Sequence, residues 1–134
     1  MFAYSRIITA PSVEHKYVNA GDVVGFDKTL NDFTRDSGWH ELDLSAIVPA
    51  GTVLVHCRVR LYADASKMVT EWKEWGNAQN KNVARVFAHA GSGDWGRSFW
   101  VACDTDRSIA YMIQTGSWTN IDFVVRGWIL GPTE

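Results

Sequence analysis

The chain has 134 residues, 46% of them hydrophobic and 21% charged, a balance that suits one globular domain and suggests neither disorder nor a fibrous repeat. Thirteen Lys and Arg against fifteen Asp and Glu leave a net charge of −2, with the basic residues scattered, so no electrostatically driven nucleic-acid binder is indicated. No apolar run approaches the roughly 20 residues of a membrane helix, and Met1 to Ala10 lacks the basic and apolar regions of a signal peptide.

In chain order, the first strand-like runs are Tyr4 to Thr9, Tyr17 to Phe26 and His40 to Leu44. The Pro49-Ala50-Gly51 turn then admits the clearest strand, Thr52 to Tyr62. There Val53, Val55, Cys57, Val59 and Leu61 alternate with Leu54, His56, Arg58, Arg60 and Tyr62, and the first row is expected to face the core. Residues 65 to 76 fit two readings. Met68, Trp72 and Trp75 have helical spacing, whereas Val69, Thr70 and the two Trp favour a strand, the reading that the Gly76-Asn77-Ala78-Gln79-Asn80 turn supports.

Val83 to Ala90, Ser98 to Cys103, Ser108 to Thr115 and Asn120 to Leu130 complete the set. In the last, Ile121, Phe123, Val125 and Ile129 are expected inward, and Asp122, Val124, Arg126, Trp128 and Leu130 outward. About eight short strands with regular punctuation predict an all-β fold, a single antiparallel β-sandwich of jelly-roll type.

His15, His40, His56 and His89 are scattered, and no Gly-x-Ser-x-Gly turn or metal-ligand spacing occurs, so neither an enzyme nor a metal or other cofactor is expected. Cys57 and Cys103 lie in strand-like runs and read as buried thiols. Asp104-Thr105-Asp106 offers oxygens that Ca²⁺ could use, but reads better as a turn whose carboxylates bond their own backbone.

Three blocks put a Trp between a Gly turn and a strand: Gly38-Trp39, Gly93-Asp94-Trp95 and Gly116-Ser117-Trp118. Either the rings staple turns to the core edge, or some of them line a loop end that binds a ligand. Indoles stack on sugar rings, so Trp95 with Asp94 and Arg97, and then Trp118 with Asn120, are the candidate glycan-binding residues.

The outward rows suggest a second surface. His56, Arg58, Arg60, Tyr62, Arg126 and Trp128 mix aromatic and guanidinium groups in the way a subunit interface does. A homo-oligomer is therefore expected, unless a loop or the N-terminal segment covers this face within one chain.

Gly38-Trp39-His40-Glu41-Leu42-Asp43-Leu44, Val101-Ala102-Cys103-Asp104-Thr105-Asp106-Arg107 and Trp118-Thr119-Asn120-Ile121-Asp122-Phe123 carry a resemblance. With Gly76-Asn77 and the run to Trp128, they resemble uncharacterised small β-sandwich proteins of bacteriophage, prophage and environmental sequences. The resemblance spans residues 38 to 130. It implies a virion structural or adhesion protein, such as a fibre, spike or head decoration, made in the host cytoplasm without a signal peptide. By the same analogy the oligomer would be a trimer, with other virion proteins and cell-surface glycan as further partners. A free lectin-like carbohydrate-binding module is the alternative. Residues 1–37 lie outside the resemblance and either attach the 38–134 core to a larger particle or add an edge strand to the one domain.

Overall fold

Strict alternation of apolar and polar residues after the Pro49-Ala50-Gly51 turn produces the central strand of the molecule. The computed structural model describes residues 15–65, 67–90 and 96–132. Nine strands are described: β1 (Lys16–Asn19), β2 (Trp39–Asp43), β3 (Thr52–Ala63), β4 (Val69–Glu74), β5 (Ala84–Phe87), β6 (His89–Ala90), β7 (Gly96–Ala102), β8 (Ser108–Ile113) and β9 (Trp118–Leu130). One sheet has the order β1-β9-β3, with β7 and the short β6 sharing the far side of β3; the other has the order β2-β8-β4-β5.

The pairing is nested. β1 pairs with β9, β2 with β8, β3 with β7 and β4 with β5, all antiparallel. A long hairpin rolled so that its two arms alternate between two sheets has this pattern, so the chain is a β-sandwich of jelly-roll type.

Between the sheets lies an aromatic core. The Phe33 ring meets Trp72, Tyr111 and Phe123 edge-on, and Trp72 also packs on Phe99. Trp72 can be wholly buried because its indole N–H donates to Thr70 Oγ1 at 2.9 Å, whose hydroxyl donates to the Val86 carbonyl at 3.0 Å. Within this stretch Val69–Glu74 is the strand β4, and Trp72 faces inward from it. Residues 15–37 are built into this domain: β1 is an edge strand, and Phe33 is in the core, held there as Tyr111 Oη accepts the Thr34 N–H at 2.9 Å.

The expected strand Tyr4 to Thr9 lies outside the described residues. Three other expectations change. The run Tyr17 to Phe26 is a strand only to Asn19; beyond it, residues 20–26 form a loop that returns to the sheet through the Lys28 bridge to Phe123. Val83 to Ala90 is interrupted at Ala88, which buries its side chain as the chain passes from β5 in one sheet to β6 in the other.

The last change lies in β9. Cys57 stands opposite Val125 and His56 opposite Gly127, so Arg126 is an extra residue in the ladder, a β-bulge. One extra residue inverts the alternation. Trp128 therefore stands opposite Val55 and packs against the core, although the sequence pattern puts it outward. At the same place the Asp27 carboxylate accepts the Val125 N–H at 2.7 Å, supplying a partner beyond the end of β1.

Candidate functional site

Alternation along β3 and β7 brings His56 and Trp100 to the outer face of the first sheet at directly paired positions. Their rings stack at 4.3 Å between centroids and 5° between planes. From β1, Tyr17 crosses Gly127 and meets Trp100 at 5.8 Å and 63°. Such a crossing needs a glycine, since the Cβ of any other residue at 127 would clash with the Tyr17 hydroxyl and the Val18 carbonyl. Tyr17 and Trp100 each keep 44% of their surface exposed, so two large rings stand open side by side.

Cations border these rings. The bulge leaves Arg126 exposed, and its guanidinium donates to Ser98 Oγ on β7 at 2.9 Å. Arg58 lies over Gly96, where the missing side chain leaves room for the guanidinium. His56 titrates below its ordinary value, first because it is partly buried and second because Arg126 is near, so at neutral pH it is a neutral ring. Next to Tyr17 the loop after β1 and the sheet enclose a cleft of about 400 Å³, whose lining includes Tyr17, Asn19, Val23, Arg58, Val124 and Arg126. An aromatic platform beside a cationic cleft can stack flat, weakly polar ring faces and hold anionic oxygens with forked N–H donors.

The sequence-derived candidates are distributed unevenly about this surface. Trp95 and Asp94 lie outside the described residues. Arg97 is exposed opposite Val59, on the core-facing side of β7 near its end, and lines a separate cleft of about 520 Å³ with Lys67, Arg85, Phe87, His89 and Phe99. Trp118 is only 7% exposed and donates its indole N–H to the Gln114 carbonyl at 2.8 Å, so it presents no open ring for stacking. Asn120 is half-buried opposite Tyr62.

Of the expected interface set, His56, Arg58 and Arg126 do lie together on the outer face. The other three are engaged within the chain. Arg60 donates to Asp122 Oδ2 at 3.0 Å and packs on Phe26 at 5.0 Å, Tyr62 is 4% exposed, and Trp128 faces the core. From the N-terminal segment, Phe26 packs against Arg60. Tyr17, Trp100 and Gly127 were missed. For Trp100 a signal existed: Phe99 and Val101 form the apolar row of β7, continued by Cys103 just after it, which puts Ser98 and Trp100 in the other row.

Asp104 behaves as a turn residue, its carboxylate accepting the N–H groups of Asp106 at 3.0 Å and Ser108 at 2.9 Å. Among the described residues no group of three or more His, Cys, Asp or Glu is placed to hold a metal ion. Both cysteines are free and buried, and burial raises both thiols, that of Cys103 to about 11. The chain matches no protein-family model, and no curated protein matches it at a significant level.

Proposed function

We propose that the chain is a non-enzymatic adhesion domain, a jelly roll that offers the rings of Tyr17, His56 and Trp100 to a cell-surface glycan. The observation that carries this reading is the pair of open rings on one sheet face, backed by the stacked imidazole. Scattered exposed aromatics are ordinary on a protein surface, whereas rings held together, with polar donors at their border, suit recognition of a flat ligand. In this reading the domain belongs to a fibre, spike or head decoration of a virion, the setting implied by the resemblance of residues 38 to 130. A free lectin-like module would use the same face.

Self-association is the second reading, with a trimer expected by analogy. It is favoured by Val23 and Val24, two exposed aliphatic residues at the tip of the loop beside the platform. Trp100→Ala is the direct test of the first reading. Glycan-array binding should be lost while the melting temperature stays close to that of the parent; retained binding would assign the ligand to another surface. Light scattering at micromolar concentration tests the second, and the mass of a single chain would remove it.

A further inference from the structure

We propose that the glycan held on this face is acidic, and that the cleft beside Tyr17 receives the carboxylate of a uronate unit while a neighbouring sugar lies against Trp100. The inference rests on the reading of the aromatic face as a glycan platform, and names the class of sugar that the platform selects.

Charge complementarity carries it. Among the described residues two guanidinium groups, Arg58 and Arg126, line the cleft and no Asp or Glu does, although acidic residues outnumber basic ones in the chain as a whole. Among the described residues Arg126 makes one side-chain hydrogen bond, to the neutral Ser98 hydroxyl, and no ion pair. The contrast with its neighbours is local. Arg60, one strand away, is joined to Asp122, and Arg85 on the other sheet is joined to Glu71. Arg126 therefore has donors left for an anion, and its single tether to Ser98 orients the group at low entropic cost.

The remaining lining suits a sugar better than a bare ion. Asn19 uses its side-chain oxygen to accept the Gly21 N–H at 2.7 Å, which leaves the amide nitrogen as a donor for a hydroxyl. Val23, Val124 and the Tyr17 ring supply apolar surface for the ring carbons. A volume of about 400 Å³ falls in the range of small-ligand sites.

The probes are polygalacturonate, alginate and hyaluronan, each paired with its carboxyl-esterified form, and a thymidine decanucleotide, all measured against the full chain by calorimetry. At least one acid polymer should bind, with its esterified form weaker by about tenfold, the loss expected for one charge-assisted pair. Arg126→Gln should abolish that preference, and Trp100→Ala should abolish binding to both forms. Circular dichroism melting of each variant establishes that it is folded. Equal binding of acid and ester would overturn the acidic assignment and leave the platform reading in place. Binding to none of the six polymers would overturn both, and Trp100-dependent binding of the oligonucleotide above any polymer would transfer the face to single-stranded nucleic acid.

Discussion

Gly127 and Tyr17 fit each other: the Tyr17 hydroxyl lies where a side chain on Gly127 would begin, so the outer face of β9 is open at the one point that Tyr17 crosses. The Val18 carbonyl is close to the same point, which ties the fit to the pairing of β1 with β9.

Gly127→Ala should therefore act at two levels. Overpacking should lower stability by about 1 to 3 kcal/mol, and the displaced Tyr17 should weaken glycan binding. Urea denaturation together with amide exchange in residues 16–19 checks this. Unchanged exchange in β1 would mean that the strand tolerates a methyl group at 127.

Adjacent residues on β7 should separate stability from binding. Phe99 packs on Trp72 in the core, and Phe99→Ala should cost about 3 kcal/mol or more. Trp100→Ala removes an exposed ring and its stack on His56, and should cost under about 1 kcal/mol. Thermal and chemical denaturation of the two variants gives the comparison, and comparable losses would contradict the assignment of opposite faces.

His56 supplies a pH-dependent readout of Arg126. With its folded pKa below the ordinary 6.5, His56 resists protonation in the folded state, so stability should fall as pH drops below 6.5. Arg126→Gln removes one of the two causes and should raise the His56 titration midpoint, followed by NMR of the imidazole. A midpoint that stays in place would mean that the guanidinium does not act on the ring.

The thiols predict behaviour at the opposite end of the scale. Cys103 donates to the Thr52 carbonyl at 3.2 Å, and its pKa rises from 9.0 to about 11. Its contribution to stability should be complete below pH 9 and lost as pH rises towards 11, because the unfolded thiol ionises first. Cys103→Ala should flatten that part of the stability profile. Cys57 is wholly buried in the row Val55, Val59 and Leu61, so Cys57→Ser should destabilise by about 1 to 3 kcal/mol, and a bulky thiol reagent should not label it in the folded protein.

How much of this was legible beforehand depends on whether alternation persisted. In β3 the rows of Val55, Cys57, Val59 and Leu61 and of His56, Arg58 and Arg60 kept their phase from Val55 to Leu61, because one face packs on the core there, whereas Tyr62 at the far end is buried. Val53 alone departs from its row and is exposed, near the first register shift of the strand. β9 lost its phase at Arg126, and no local residue type announces a bulge of that kind, so Trp128 was put on the wrong face. Trp72 invited two periodicities at once, since its spacing to Met68 and Trp75 suits a helix while its neighbours suit a strand. Tyr17 became part of a site only through Gly127, more than a hundred positions away, a relationship that no local window contains. For Trp118, a Gly-Ser lead-in suggested an exposed loop, but the ring turns inward and satisfies its N–H on Gln114.

NMR shift mapping with a bound oligosaccharide tests the central claim most directly. ¹⁵N-labelled protein titrated with alginate-derived oligouronates should show its largest changes at Tyr17, His56, Ser98, the Trp100 indole N–H and Arg126. Changes concentrated instead around Lys67, Arg85 and Phe87, or an unperturbed spectrum at saturating oligouronate, would contradict the account.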